Sequence, residues 1–119
     1  MWGLSWLSEN PDPQDWLSRQ FGNGSVFNNM NYGQNTSSDV ARQLNTQSQL
    51  ASADTMDQGN ARLQAYQKAE QQLVNDVAWL PVEQVCNIFL RKHYVAGIVD
   101  NGLGIIPPND WAGIYILQH

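Results

Sequence analysis

The clearest periodic signal along the chain lies between Arg62 and Val77. Leu63, Tyr66, Ala69, Leu73 and Val77 recur at steps of three and four, while Gln64, Gln67, Lys68, Gln71 and Asn75 fall mostly on the opposite side. This predicts an amphipathic helix that begins between Asp54 and Gly59, ends near Val77 and turns its apolar stripe to the core. A second helix of weaker amphipathicity is expected from Ser38 or Asp39, either of which can cap it, to about Ser52, with Val40, Leu44, Gln47, Leu50 and Ala51 near one face. Period-2 patterns frame these helices. Trp2, Leu4 and Trp6 alternate with Gly3, Ser5 and Leu7 as in a short strand. After the break at Trp79-Leu80-Pro81, Val82, Cys86, Ile88 and Leu90 share one face while Val85 and Phe89 add apolar surface to the other, so a strand covered on both sides is expected. The run Gly113 to Leu117 closes the chain as a third strand.

Between the first strand and the helices the chain must turn a corner, Trp6-Leu7-Ser8-Glu9-Asn10-Pro11-Asp12-Pro13-Gln14-Asp15-Trp16. Pro11 and Pro13 lack amide protons and push the residues before them toward extended geometry, so Glu9 to Asp12 is a strand exit or turn. Asp12 can then cap a helix from Pro13 to about Gln20, with acidic Asp15 at its positive end and Gly22 stopping it. Such a corner fixes an aromatic side chain and a carboxylate close to a strand end, where α/β sheets usually place ligands. Taken alone, the local features favour the other reading, core aromatics at Trp2, Trp6 and Trp16 with a solvated turn acid at Glu9.

The segment from Phe21 to Ser38 is rich in Asn, Gly and Ser, with Phe27, Met30 and Tyr32 as apolar anchors. A loop of this length either lines a cleft or packs as a surface loop. Gly97, Gly102, Gly104, Pro107 and Pro108 punctuate a second loop-rich stretch before Trp111.

Composition narrows the choices. In 119 residues there is room for one core, and the low charged fraction of 14% is offset by 12 Asn and 13 Gln. The net charge is -5, with six scattered basic residues, which argues against nucleic-acid binding because nothing gathers to neutralise phosphates. Cys86 stands alone, so neither an internal disulfide nor a cysteine-based zinc site is expected, and its apolar setting predicts a small buried hydrophobe. No apolar run reaches the roughly 18 residues that a spanning helix needs. No export signal is visible either.

Catalysis needs a nucleophile beside a base, a poised acid and base, or a metal. His93 and His119 lack a second ligand at helical or strand spacing, and Ser25, Ser37 and Ser38 lie in polar loops without a nucleophile-elbow pattern. Asp12 and Asp15 fit helix capping better than a carboxylate pair. The expectation is therefore no enzyme, no catalytic residue, no metal and no cofactor.

Five stretches, in order, resemble the oligopeptide/dipeptide class of ABC-transporter substrate-binding proteins, a bacterial extracellular solute-binding protein family. The corner is similar to its Trp-x-x-Asp-Tyr-Pro-Asp-Pro-x-x-Phe-Leu segment, and Asn28-Asn29-Met30-Asn31-Tyr32 to Asp39 to its Asn-rich loop before a helix. Arg62 to Pro81 resembles its Arg-x-x-x-Tyr-x-x-Ala-Glu-x-x-Leu helix with the following Pro. Lys92 to Gly97 resembles its Lys-Pro-Tyr-Val-x-Gly turn, with His93 in place of Pro, and Asp110-Trp111-Ala112-Gly113-Ile114-Tyr115-Ile116 its terminal strand.

The resemblance implies an α/β chain that is the C-terminal fragment of a two-lobed periplasmic-binding-protein (type II) fold, helices packed with a few mixed strands. Residues 1–80 would belong to the C-terminal lobe and residues 81–119 would return toward the other lobe. It also implies binding of a peptide or other small solute for an ABC importer, with the permease and the missing N-terminal lobe as partners. The expected location is extracytoplasmic, in the periplasm or lipid-anchored at the surface, with any signal or anchor upstream of Met1. In such proteins the strand of the motif Trp runs along an extended peptide, and the Asp three residues later receives the α-ammonium. Here that position is Glu9, one methylene longer, so the ligand-binding residues expected are Trp6, Leu7 and Glu9. Binding by these 119 residues alone is expected to be weak, and exposed strand edges invite self-association. Two rival readings are a free-standing interaction or oligomerisation domain and a carbohydrate-binding module.

Overall fold

The computed structural model describes residues 6–82, 86, 88–101, 104 and 106–118, and over these residues the chain is a mixed α/β structure dominated by helix, about 41% helical and 4% strand. It forms two compact units, Met1–Val82 and Glu83–His119.

The first unit is built on a helical hairpin, α3 (Val40–Asp54) and α4 (Asn60–Asn75), preceded by two single turns, α1 (Pro13–Trp16) and α2 (Ser18–Phe21). Its core consists of Leu17, Phe21, Tyr32, Leu50, Ala53, Tyr66, Ala69 and Leu73. Phe21 stands between two other rings, edge to face with Tyr32 and with Trp79 at 5.9 Å each. Small Ala53 and Ala69 let the hairpin helices approach, and burial of each large side chain is worth about 1.5–3 kcal/mol.

The α4 stripe is narrower than its periodicity predicts. Tyr66, Ala69 and Leu73 are buried, whereas Leu63 and Val77 are exposed, as is Leu44 of α3. Their places are taken by polar residues that reach specific partners: Thr46, Gln47 and Arg62 are all buried. Gln47 Nε2 donates to the Phe21 carbonyl (2.8 Å) and the Tyr32 carbonyl (2.7 Å), fastening the Asn-rich segment to α3. That segment is thus a packed surface loop, further closed by the Asn28 amide, which donates to the Tyr32 carbonyl and accepts from its N–H. Gly33 (φ 68°) passes so close to Gln47 that a Cβ would overlap its amide.

Helix ends also differ from expectation. The helix anticipated from Pro13 to Gln20 is interrupted at Leu17, and Asp39, though at the N-cap position of α3, pairs with Arg42 at 3.5 Å rather than capping. Helix α4 ends with the Ala78 N–H on the Leu73 carbonyl (2.9 Å) and the Val77 N–H on the Val74 carbonyl (3.0 Å), a Schellman arrangement that places Val77 at φ 54°. Asp76, beside it, accepts from Tyr32 Oη (2.6 Å), Arg42 Nε (2.6 Å) and Gln72 Nε2 (2.8 Å), so one carboxylate joins the loop, α3 and α4. Burial alone would raise the Asp76 pKa, but these donors, Tyr32 foremost, bring it below the usual carboxylate value.

The second unit holds a two-stranded antiparallel ribbon, β1 (Val95–Ala96) and β2 (Tyr115–Ile116), and a single turn, α5 (Pro108–Trp111). Gly97 (φ 81°) follows β1 where a Cβ would fall inside the Gly113 carbonyl. Of the expected strand at residues 82–90, the described residues Val82, Cys86, Ile88, Phe89 and Leu90 are not in strand, and residues 83–85 and 87 lie outside the described set. Cys86 is exposed, not buried, because no sheet neighbour covers this run among the described residues. The first expected strand falls mostly on Trp2 to Ser5, outside the described residues, and Trp6 and Leu7 are not in strand. Only the closing run is extended as expected, over Tyr115–Ile116.

Candidate functional site at the proline corner

The corner is assembled around two aspartates with different duties. Asp12 is extended (φ -117°, ψ 135°), as the following Pro13 demands, and its Oδ1 accepts from the Gln14 N–H at 2.9 Å, the N-cap bond expected from the sequence. The same carboxylate receives a two-pronged grip from α4: Arg62 Nη2 donates to Oδ1 at 2.8 Å and Nη1 to Oδ2 at 2.9 Å. Arg62, whose side chain is 5% exposed, also donates to the Ala53 carbonyl (3.2 Å) and to Tyr66 Oη (3.1 Å), and the Tyr66 hydroxyl donates to Asp54. Ser18 Oγ donates to that same Asp54 oxygen at 2.7 Å. Thus the end of α3, through Asp54, and the start of α4, through Arg62, grip the corner and the turn after it from two sides. The Arg62 guanidinium holds the Asp12 carboxyl down at about 2. Burial pushes the Tyr66 phenol well above its ordinary value, with the Asp54 bond adding to it.

Asp15 faces inward, 1% exposed. Its Oδ2 accepts from the Glu9 backbone N–H (2.9 Å) and Trp6 Nε1 (3.2 Å), and its Oδ1 from Arg19 Nη1 (2.9 Å). Burial opposes its ionisation, but Arg19 and the other donors outweigh that and leave its pKa lowered. Asp15 therefore does more than complement a helix dipole: it ties the segment entering the corner to the one leaving it.

Two of the sequence-predicted site residues, Trp6 and Glu9, are brought together by that tie. The indole stands edge to face with Phe27 at 5.3 Å between ring centres. Arg19 lies beside both rings, its guanidinium carbon 5.0 Å from the Phe27 centre and 5.7 Å from that of Trp6. Its Nη1 reaches Glu9 Oε2 at 2.6 Å as well as Asp15. Glu9, then Asp15, raises the Arg19 pKa above its ordinary value. The Glu9 side chain is 71% exposed, so its carboxylate is presented to solvent on a backbone that Asp15 holds. Leu7 is 79% exposed and projects apolar surface.

Sequence reasoning passed over Asp15, Arg19, Phe27 and Arg62 as parts of this cluster. The four-residue spacing of Asp15 and Arg19 is a readable signal of a helical ion pair. Phe27 gives none, since its contact depends on how the loop folds back.

Chemically the cluster is one of fixed charges. Two carboxylates and one guanidinium leave a net negative charge beside an aromatic wall. The nearby hydroxyls are engaged, Ser8 with the Asn10 carbonyl and Ser25 with the Arg19 carbonyl. Among the described residues no three His, Cys, Asp or Glu side chains gather to hold a metal ion, and no helix is long and apolar enough to cross a membrane.

No family, curated protein or solved structure matches this chain.

Proposed function

We propose that this chain is the C-terminal part of an extracytoplasmic solute-binding protein of type II fold that delivers a peptide or related solute to an ABC importer, with Glu9 receiving the ligand's amino group. The observation that carries the reading is the exposed Glu9 carboxylate on an immobilised backbone, its N–H on Asp15 at 2.9 Å, beside the Trp6 and Phe27 rings. A carboxylate held this way can meet an ammonium without first losing backbone freedom, which is the cost that preorganisation removes. Supporting it is the union of Asp12 with Arg62, which joins two of the stretches on which the resemblance rests.

The test uses the complete protein, including the missing lobe, titrated calorimetrically with trialanine and with its N-acetylated form. The free amine is expected to bind more tightly, and Glu9→Gln to weaken it by about 1.5–3 kcal/mol, the worth of a charge-assisted bond. Equal affinity for both forms removes Glu9 from the site, and no binding of either removes the peptide reading.

A second reading is favoured by the other unit. None of the described residues from 83 to 119 is buried, and Ile88, Phe89, Leu90 and Trp111 are exposed. So much bare apolar surface suits a chain that associates, whether with the rest of its own protein or with another copy. Sedimentation of the chain at increasing concentration distinguishes self-association from simple incompleteness.

A further inference from the structure

We propose that Arg19 is the specificity-determining residue of the corner: its guanidinium is the resident cation on Glu9, and a ligand's ammonium binds only by displacing it. The inference rests on the reading of Glu9 as the amine receptor.

The geometry supplies each part of the argument. Arg19 Nη1 touches one of the two Glu9 carboxylate oxygens, Oε2, at 2.6 Å, so an ammonium that engages both oxygens meets a charged donor already on one of them. The same nitrogen is bonded to Asp15 at 2.9 Å, and the guanidinium lies beside the Trp6 and Phe27 rings. Arg19 therefore has a place to remain when Glu9 is taken from it: the Asp15 bond and the aromatic contacts do not depend on Glu9. Displacement costs one exposed ion pair, and such pairs are weak. It is a toll, then, rather than a block.

The charge count gives the consequence for selectivity. With Arg19 in place its one positive charge is shared by Glu9 and Asp15, so an incoming cation meets a Glu9 whose charge is partly offset and an Asp15 that is buried and already filled by three donors. Weakly charged or diffuse cations gain little by entering. A compact primary ammonium, able to give more than one hydrogen bond to Glu9, gains most. Replacing Arg19 by a neutral residue should open the corner to amines generally.

The test titrates the protein with alaninamide, which carries an α-ammonium and no carboxylate, and follows the Trp6 indole N–H resonance, assigned with Trp6→Phe. Arg19→Gln keeps an amide donor for Asp15 but removes the charge, and is expected to bind alaninamide about two- to fivefold more tightly than wild type. Arg19→Lys, which retains a cation, should stay close to wild type. Addition of Glu9→Gln to Arg19→Gln should abolish the gain. Equal binding by wild type and Arg19→Gln overturns the proposal, as does a gain that survives Glu9→Gln. Wild type supplies an independent readout should Arg19→Gln lose its fold: at high alaninamide the Arg19 Nε–H resonance must move together with that of Trp6. An indole response with Arg19 unmoved refutes displacement. Peptide binding by the complete protein that is indifferent to Arg19 would sink this inference and leave the peptide reading standing. A gain for alaninamide without any peptide binding would do the reverse.

Discussion

Asp12→Asn is the most informative single change, because Asp12 combines two separable jobs. As N-cap of α1 it accepts from Gln14, which an Asn oxygen can also do, so the cap survives at a cost of a few tenths of a kcal/mol. As the counter-ion of Arg62 it cannot be replaced: Asn offers one neutral acceptor where Arg62 has two donors, at 2.8 and 2.9 Å, committed to a carboxylate. The displacement of the Asp12 pKa from 3.8 to about 2 sets the scale. At 1.36 kcal/mol per unit it corresponds to roughly 2 kcal/mol of native-state stabilisation of the charged form. Asp12→Ala removes the cap as well and leaves a buried guanidinium without its anion, so about 3–4 kcal/mol is expected, within the range for breaking a buried pair. A domain of ordinary stability, about 5–15 kcal/mol, survives the first change and is endangered by the second.

The sign of the pH dependence follows from the direction of the shift. The native pKa lies below the unfolded one, so the stabilisation is fully present above about pH 4 and disappears as the pH falls through about 2, below which both states are protonated. Urea unfolding followed by near-ultraviolet circular dichroism at several pH values supplies the measurement. Wild type minus Asp12→Asn should be roughly 2 kcal/mol at pH 6 and shrink toward zero near pH 2. A double-mutant cycle with Arg62→Gln should recover most of the difference as coupling between the two residues. A difference at pH 6 below about 0.5 kcal/mol, the level of ordinary surface substitutions, would refute the view that the Arg62 grip holds the corner. A difference independent of pH would attribute it to the cap.

Two further changes probe the same unit. Val77 is β-branched, 81% exposed and held at φ 54°, so Val77→Gly should stabilise the protein by about 1 kcal/mol, measured as a higher urea midpoint at unchanged slope, since it relieves left-handed strain and loses almost no burial. Gln47→Leu should destabilise it by about 1–3 kcal/mol in the same assay despite the hydrophobic gain, because the Phe21 carbonyl loses its Gln47 donor while the Tyr32 carbonyl keeps Asn28.

What could be read in the sequence follows the range over which each determinant acts. The Asp12 cap, the Pro13 start, the Gly22 stop and the span of α3 and α4 depend on residues within a turn or two of one another, and they are found close to where the pattern places them. The core stripe was legible only in part. Periodicity assigns Leu44, Leu63 and Val77 to the same faces as Leu50, Tyr66 and Leu73, but a two-helix unit has too few layers to cover a wide stripe, and the outer members stay in solvent. Conversely Arg62 and Gln47, polar by type, are buried because each meets partners from distant segments: Asp12 is 50 residues from Arg62, and Phe21 is 26 from Gln47. No local pattern announces such pairs. At the described residues between 82 and 90 the expected strand is not formed for the complementary reason, since alternation states which faces want cover and cannot supply the neighbours.

The same distinction separates what is fixed at the corner from what is free there. Every polar group that shapes its backbone is satisfied within the unit: Asp12 by Gln14 and Arg62, Asp15 by Trp6, Glu9 N–H and Arg19, and Ser8 by Asn10. Glu9 differs, because its backbone belongs to that network while its side chain reaches back over solvent to a single cation. Loss of the Glu9 carboxylate in Glu9→Gln leaves the Asp15 tie intact and removes only an exposed pair, so folding should be nearly indifferent to it. On the proposed reading the charge of Glu9 matters for recognition instead, where a ligand's ammonium would compete for it with Arg19.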